Sequence, residues 1–383
     1  MYYFDNAATS YPKPEKVYSY TDTFYRQFGV NVGRGQYQES SISSNIVRET
    51  RDLLLELFHC NNSKEVVFTP SSTMAMNMIL LGQNWNNGDI VYISRFEHNA
   101  VLRTLHSLQQ KYNLQIKYIE PDKNTLDYDF NQIKTVLSID KPKLLIFNHV
   151  SNSFGFISPI QELCVIAKNL NIKTVIDMSQ SAGLIDTNLM FTTADYAIFA
   201  GHKTLYAPFG IAGFIINKTD NLNPVLFGGT GIDSANNEMP KELPERFEPG
   251  SLNILAIAGL NASLKWIKDI SIKSILENEF KTKNVLIDLL KSYSNIKLFL
   301  HSDINQQVGI ISAVFDGYAS DNIGHVLSNH NIAVRTGLHC APDSHQFMGT
   351  APSGTVRFSI GYFTNQNDID NLHKALDFIE ENS

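Results

Sequence analysis

The feature that most constrains the fold is an alternation of strand-like and helix-like patterns between Glu65 and Ile216. Short apolar runs rich in β-branched residues, such as Lys173-Thr-Val-Ile-Asp177, are separated by segments with helical periodicity. Strands that alternate with helices form parallel sheets, because each helix returns the chain to the start of the next strand. The sequence therefore predicts an α/β fold with a mostly parallel sheet of several strands and helices on both faces.

Composition and charge exclude several classes of function. The 383 residues are 43% hydrophobic and 18% charged, which is enough for two lobes with large buried cores. A net charge of −7 offers no basic surface for nucleic acid or an anionic membrane. The chain begins Met-Tyr-Tyr-Phe-Asp, without a basic leader, and no apolar run approaches the roughly 18 residues of a membrane span. We expect a soluble cytoplasmic protein that binds neither nucleic acid nor membranes.

The three cysteines predict neither a disulfide framework nor a metal site. Cys60, Cys164 and Cys340 are far apart, and no CxxC pair occurs. Cys164 lies in a helical apolar pattern and is expected to be a small core residue. Cys60 ends a helical pattern and is expected to be structural. Cys340 has more polar neighbours, which are considered below.

A lysine and an aspartate end two successive strand-like runs. Lys203 follows Gly-His after an apolar run, and Asp177 ends the preceding strand-like run. A lysine at a buried strand end is costly unless its charge is paired or its amine is used, although most single lysines lie on surfaces. The aspartate changes that balance. A carboxylate for the pyridinium nitrogen and a lysine for covalent attachment are the two protein groups that a pyridoxal phosphate site needs.

Several motifs together resemble a known family. These motifs are Val175-Ile-Asp-Met-Ser-Gln-Ser-Ala-Gly183, Gly201-His-Lys203 and Arg335-Thr-Gly-Leu-His-Cys-Ala341. They resemble the cysteine desulfurases of the class V aminotransferase group, which includes selenocysteine-lyase-like members. The resemblance extends from Asp5-Asn-Ala-Ala-Thr9 to Arg357-Phe-Ser-Ile-Gly361, nearly the whole chain.

The resemblance implies the domain organisation of a fold type I pyridoxal-phosphate-dependent transferase. A large cofactor-binding domain is expected at residues 14–268, with a mostly parallel, seven-stranded type of sheet. A smaller α+β domain is expected at residues 269–383, completed by the N-terminal arm of residues 1–13. The family also implies a homodimer, in which Ser251 reaches the cofactor phosphate of the neighbouring subunit.

The resemblance assigns cofactor contacts to the ends of predicted strands and helices. Ser72 and Thr73 lie near the start of a predicted helix, where free N–H groups favour a phosphate, although an ordinary N-cap is the alternative. His98 follows a predicted strand and matches the ring that stacks on the cofactor and moves protons. The remaining cofactor contacts implied by the family are Asn152, Asp177, Gln180, His202, Lys203 and Ser251.

The same resemblance assigns the residues that bind the substrate and the residue that accepts its sulfur. Arg357 and Asn152 match the residues that bind the carboxylate of L-cysteine, and Arg335 is expected nearby. Cys340, close to Arg335 and His339, is in a setting typical of a thiol with a lowered pKa. The resemblance implies conversion of L-cysteine to L-alanine, with Lys203 as base. The sulfur would pass to Cys340 as a persulfide and then to an acceptor protein or a small-molecule reductant.

Three departures from the family pattern keep other functions open. Ala200 replaces a phosphate-binding serine, Thr204 is an additional residue, and Leu338 replaces a histidine before Cys340. The alternatives are a selenocysteine lyase or another β-eliminating lyase, ordinary transamination, and a sulfur-assembly scaffold with weak catalysis. L-selenocysteine is the alternative substrate. Arg34 lies either near the active-site entrance or in an ordinary loop.

Overall fold

A computed structural model describes residues 1–32, 35–232 and 235–382. Arg34 lies outside the described residues, so neither prediction for it is tested. In the described ranges, no helix is both long enough and apolar enough to span a bilayer.

The elements of the large lobe alternate between strands and helices, as the sequence pattern predicts. Its helices are α1 (Glu15–Phe28), α2 (Gln38–Leu57), α3 (Ser72–Leu81), α4 (Asn99–Tyr112), α5 (Phe130–Asp140), α6 (Ile160–Asn169), α7 (Leu189–Thr192) and α8 (Ile254–Ile270). A short 3-10 helix precedes α8 at Glu245–Phe247. Its strands, numbered after the N-terminal strand β1 (Tyr2–Tyr3), are β2 (Lys64–Thr69), β3 (Ile90–Ser94), β4 (Gln115–Ile119), β5 (Leu144–Asn148), β6 (Lys173–Asp177), β7 (Tyr196–Ala200) and β8 (Ala212–Asn217).

The seven strands β2 to β8 form one sheet in the order β2-β8-β7-β6-β5-β3-β4, as traced in the described residues. Strand β8 runs antiparallel to both of its neighbours, and the other pairings are parallel. The prediction of a mostly parallel sheet is therefore confirmed. Because the parallel strands end at the same edge, their C-terminal residues meet there, and Asn148 of β5 is directly beside Asp177 of β6.

Helices cover both faces of this sheet, which explains why its central strands are apolar throughout. Residues of α3 and α4 form one core with one face, whereas α1, α2, α6 and α8 contribute to the core on the other face. All five residues of β5 and of β7 are buried. Strands buried on both faces show continuous apolar runs instead of alternation.

The small lobe contains an antiparallel sheet in the order β12-β13-β10-β9. Its strands are β9 (Ile296–Phe299), β10 (Ile310–Phe315), β12 (Arg335–Gly337) and β13 (Thr355–Ser359), and its helices are α9 (Ile272–Lys291), α10 (Ser320–Asn329), α11 (Pro342–Phe347) and α12 (Gln366–Glu381). A further 3-10 turn lies at Ile304–Gln306. Large and small lobes are joined where α8 ends and α9 begins, at Ser271. The domain division at residue 268 stays a prediction.

The N-terminal arm packs with the small lobe. Strand β1 pairs in parallel with β11 (Ile332–Ala333), and Phe4 is fully buried in the core of this lobe. The arm then crosses to the large lobe, where Ser10 N donates a hydrogen bond of 3.1 Å to His202 O. The arm therefore passes between the two lobes at the edge where the parallel strands end.

One segment has more regular structure than its polar sequence indicates. The polar sequence of residues 126–140 predicts a surface excursion, yet most of these residues form α5. Asp129 caps this helix by accepting hydrogen bonds from Asn131 N and Gln132 N, while Ile133 and Leu137 are buried against the large-lobe core. The polar residues between them face solvent. They outnumber the buried apolar residues, so the sequence of this segment does not show its apolar side clearly.

Candidate active site

A cavity of about 370 Å³ lies at the C-terminal edge of the large sheet. It brings together six of the predicted site residues, Ser72, His98, Asn152, Asp177, Gln180 and Lys203. Its location is that expected of a small-molecule site in an open α/β sheet.

Lys203 lies in the turn that follows β7. Backbone hydrogen bonds tighten this turn, with Tyr206 N donating to Lys203 O at 2.8 Å and Ala207 N donating to Gly201 O at 2.8 Å. Burial lowers the pKa of Lys203 to about 8. The positive charges of Arg357 and Arg335 also lower this pKa, whereas the negative charge of Asp177 raises it. A larger share of this amine is unprotonated at neutral pH than for an exposed lysine, which suits a nucleophile or base.

Asp177 and His98 face the same cavity from adjacent elements. Asp177 ends β6, and its Oδ1 accepts a hydrogen bond of 2.9 Å from Ser179 N. His98 caps α4, with Nδ1 accepting from Ala100 N at 3.0 Å. Burial, followed by the charge of Lys203, lowers the pKa of His98. The His98 ring is therefore neutral, with its proton on Nε2, and a neutral ring is well suited to stack on a flat ligand.

Arg357 is almost completely buried on β13, with 2% of its surface exposed. Its Nη1 donates to Asn152 O at 2.7 Å, and its Nη2 donates to Asp5 Oδ1 at 2.7 Å. Arg335 is half-exposed on the neighbouring strand, and its Nη2 lies 3.2 Å from Asp5 Oδ2. Two arginines assigned to the substrate thus share one carboxylate of the N-terminal arm.

Cys340 lies at the exposed tip of a strained loop. Both His339 and Cys340 have positive φ, +48° and +57°, a conformation that costs energy in residues other than glycine. Two hydrogen bonds anchor the loop to the site: Asn152 Nδ2 donates to His339 O at 2.7 Å, and Asn99 N donates to Cys340 O at 2.7 Å. The thiol is close enough to Lys203 for its charge to raise the lysine pKa.

His339 does not have the role that its sequence position indicates. Its ring is buried, and Nε2 lies 3.0 Å from Thr355 Oγ1. Burial, with the nearby charge of Arg357, lowers its pKa to about 2. His339 is therefore neutral and adds no positive charge to favour the thiolate of Cys340. Arg335 remains the charged residue that the sequence placed beside this loop.

Three predicted cofactor residues do not line the cavity. Thr73 is exposed in the first turn of α3, and Ser251 is exposed on a turn before α8. His202 is beside Lys203, and its ring stacks on Phe209 with centroids 4.6 Å apart. Burial lowers the pKa of His202 to about 4, so its ring is also neutral. Within one chain, Ser251 does not line the cavity.

Sequence reasoning missed two carboxyl groups at this site. Asp5 occurs in the N-terminal motif that carries the family resemblance, but it received no role. Glu97 directly precedes His98 and is completely buried. Its Oε1 accepts from Ser94 Oγ at 2.5 Å and from Asn148 N at 2.8 Å, while burial and the nearby Asp177 raise its pKa to about 8. The available signal for each was an acidic residue within a motif that already carried other site residues.

Several buried polar atoms at or beside the cavity have no hydrogen-bond partner within the described ranges. Among the described residues, Asn152 Oδ1 and Ser179 Oγ, which line the cavity, and His202 Nδ1, beside Lys203, have no hydrogen-bond partner. Buried polar groups in folded proteins are normally paired, so unpaired ones around a cavity indicate that a polar ligand completes them. Together with a carboxylate, a lysine of low pKa and a neutral ring, they fit a flat polar cofactor such as pyridoxal phosphate.

Comparison with known proteins agrees with this geometry. The profile of the family Aminotransferase class-V matches residues 2–372. The chain belongs to this family. Members of the family are pyridoxal-phosphate-dependent enzymes, a property that accords with the donor set around the cavity.

Individual relatives within the class-V family are similar over nearly the whole chain. A probable cysteine desulfurase of Haemophilus influenzae is 31% identical, over 98% of this chain and 85% of that protein. A probable cysteine desulfurase of Pyrococcus abyssi is 30% identical, over 99% of this chain and 93% of that protein. The apo structure of the cysteine desulfurase from Thermococcus onnurineus has a TM-score of 0.92 at 28% identity, covering 100% of this chain and 95% of that chain.

Proposed function

We propose that this protein is a pyridoxal-phosphate-dependent cysteine desulfurase that converts L-cysteine to L-alanine and transfers the sulfur to Cys340. The observation that carries this proposal is the position of Cys340. Its thiol is exposed, yet its loop is hydrogen-bonded to Asn152, which lines the cavity, and to Asn99, which adjoins His98. A lyase or transaminase has no need for an exposed thiol on a loop that is hydrogen-bonded to a residue of the cofactor cavity.

The residues around the cavity have separate roles toward the cofactor. Lys203 would hold it covalently, Asp177 would keep its ring nitrogen protonated, and the neutral ring of His98 would cover its face. The N-terminus of α3 with Ser72 and Thr73, and His202, would bind the phosphate, since free N–H groups favour anions. When bound, pyridoxal phosphate supplies an electron sink for the pair released at the substrate Cα.

The phosphate contacts are fewer than those of the family pattern. Ala200 has no hydroxyl, and Thr204 lines a second cavity that Lys203 also borders. The phosphate therefore depends on α3, on His202 and, in a homodimer, on Ser251 of the second subunit. Gln180, assigned to the phenolic oxygen of the cofactor, donates through Nε2 to Ala7 O at 2.7 Å.

The substrate steps use the other side of the site. Arg357 and Asn152 would bind the carboxylate of L-cysteine. Lys203, released when the substrate amine takes its place and with its lowered pKa, would remove the Cα proton. The Cys340 thiolate attacks the substrate sulfur, so that an S–S bond forms as the substrate Cβ–S bond breaks. The electron pair of that bond stays on Cβ, and protonation at both Cβ and Cα then gives L-alanine. The persulfide sulfur passes to an acceptor protein or to a small-molecule reductant.

The test replaces each cysteine separately in the holoenzyme. Cys340→Ala should keep the cofactor on Lys203 but reduce alanine formation from L-cysteine at least 100-fold, a loss comparable to removal of other catalytic groups. Borohydride reduction and peptide mass spectrometry check the attachment at Lys203, and alanine and sulfide are measured with and without reductant.

Two other cysteines provide matched controls. Cys164 is buried in α6 and Cys60 is half-buried, and burial raises their thiol pKa values to about 12 and about 11. Cys164→Ala and Cys60→Ala should leave turnover nearly unchanged. If Cys340→Ala still formed alanine at the parental rate, the enzyme would be a lyase. An adduct on any lysine other than Lys203 would refute the cofactor site.

A further inference from the structure

Arg335 and Arg357 form a two-arginine cluster with Asp5 between them. The two arginines are direct cross-strand neighbours in the pairing of β12 with β13. Asp5 Oδ1 accepts from Arg357 Nη2 at 2.7 Å, while Asp5 Oδ2 lies 3.2 Å from Arg335 Nη2. Like charges on neighbouring strands repel, so the shared carboxylate is what allows this arrangement.

Backbone pairing, and not the ion pairs, sets the position of Asp5. Phe4 N donates to Ala333 O at 2.8 Å, Ser359 N donates to Phe4 O at 2.7 Å, and the Phe4 side chain is fully buried. The arm therefore presents Asp5 as a fixed carboxylate between the two guanidinium groups. Changing this one side chain leaves the attachments of the arm in place.

The cluster still has capacity for one more anion. Arg357 uses Nη1 on Asn152 O and Nη2 on Asp5, but its Nε has no hydrogen-bond partner in the described part of the chain. Because the residue is 2% exposed, this donor is hidden from bulk water. The charges of the two arginines and Asp5 sum to +1, so one monoanionic carboxylate would neutralise the cluster.

We propose that Asp5 is a specificity-determining residue, which neutralises Arg335 so that the site accepts one carboxylate and rejects ligands with a second anionic group. The proposal rests on the proposed function, because it assigns the substrate carboxylate to Arg357. A second anionic group that approaches Arg335 meets the Asp5 carboxylate and is repelled. L-Cysteine, with a neutral thiol side chain, meets no such barrier.

The test measures binding of two non-reactive four-carbon acids, butyrate and succinate, to the holoenzyme by isothermal titration calorimetry. Asp5→Asn should strengthen succinate binding about tenfold relative to butyrate, because Arg335 becomes free for the second carboxylate. Adding Arg335→Gln to Asp5→Asn should return the ratio to the parental value. Asp186→Asn, an exposed carboxylate paired with His59, is the matched control and should leave the ratio unchanged. Equal changes for both acids in Asp5→Asn would overturn the proposal.

Two further variants keep the proposal testable if Asp5→Asn folds poorly. Arg335→Gln alone makes the cluster neutral overall, so butyrate binding should weaken about tenfold. Unchanged butyrate binding in that variant would overturn the role of Asp5. Arg357→Lys tests the underlying assignment separately, since loss of the guanidinium fork should weaken butyrate binding. If Arg357→Lys binds butyrate as the parent does, the carboxylate site of the proposed function is wrong.

Discussion

At the level of single residues, burial controls the charge of most titratable groups around the cavity. Burial lowers the pKa of Lys203 to about 8 and raises that of Glu97 to about 8. It also keeps the rings of His98, His202 and His339 neutral. The remaining charged groups near the reacting atoms are Lys203, Asp177 and the cluster of Asp5, Arg335 and Arg357. Such perturbed groups in a cleft are typical of active sites.

Glu97 predicts a specific dependence of stability on pH. Its pKa is about 8 in the folded protein, above the ordinary value of 4.5, so the folded state holds this proton more tightly than the unfolded state. The associated stabilisation is complete below pH 4.5 and is lost as the pH rises to about 8. Glu97→Gln cannot titrate. Relative to the parent, its free energy of unfolding should therefore increase between pH 5 and pH 8 by on the order of a few kcal/mol.

Urea unfolding at pH 5 and at pH 8 measures this difference. Glu380→Gln, an exposed residue of α12, is the control and should track the parent at both pH values. Parallel pH profiles for the parent and Glu97→Gln would show that Glu97 is ionised across this range.

At the level of elements, a buried ion pair connects α2 to the segment before α8. Arg51 of α2 is paired bidentately with Glu248, with distances of 3.0 and 2.7 Å, and both side chains are nearly buried. Glu248 Oε1 also accepts from Phe68 N of β2 at 2.6 Å. This contact joins the helix layer, the edge of the sheet and the turn that carries Ser251.

Removal of Arg51 should be strongly destabilising. Arg51→Met leaves Glu248 buried without its cation, which typically costs about 3–5 kcal/mol of the free energy of unfolding. Arg26→Ala is the matched control, because Arg26 forms an exposed ion pair with Asp22 on α1 and should have no measurable effect. Chemical denaturation followed by circular dichroism gives both values. Similar stability of the two variants would mean that the buried pair contributes little.

At the level of the whole molecule, hydrogen bonds join three surface turns. Asn253 Nδ2 donates to Gly210 O at 3.3 Å, and Gly250 N donates to Gly229 O at 2.7 Å. These bonds place the turns that carry Phe209, Phe227 and Ser251 side by side. Phe209 is 65% exposed and Phe227 is 75% exposed, an apolar surface that supports the proposed homodimer.

The homodimer can be tested on this surface. Phe227→Asp should shift the protein from dimer to monomer in sedimentation velocity, because burying a carboxylate in an apolar interface is costly. It should also weaken pyridoxal phosphate binding, since Ser251 would no longer reach the second subunit. Phe191→Asp is the control, as Phe191 on α7 is 69% exposed and lies outside these turns. A parent that is monomeric with full cofactor occupancy would contradict the proposal.

The sequence by itself determined the strand and helix pattern, the family and most of the residues at the cavity. Apolar periodicity and flanking turn residues are local signals, and they predict helices at Glu15–Phe28 and Ile254–Ile270, which are the bounds of α1 and α8. The mostly parallel sheet then follows, and with it the shared edge at which Asp177 and Lys203 meet.

Tertiary structure alone decided which side chains are charged, and which residues far apart in sequence share a site. No local pattern shows that Asp5 lies between Arg335 and Arg357, more than 300 residues away along the chain. Nor does the sequence beside Cys340 show that the ring of His339 turns inward to Thr355 and loses its proton. Burial and long-range pairing set these properties, because the energy of a charge depends on its three-dimensional surroundings and not on its sequence neighbours.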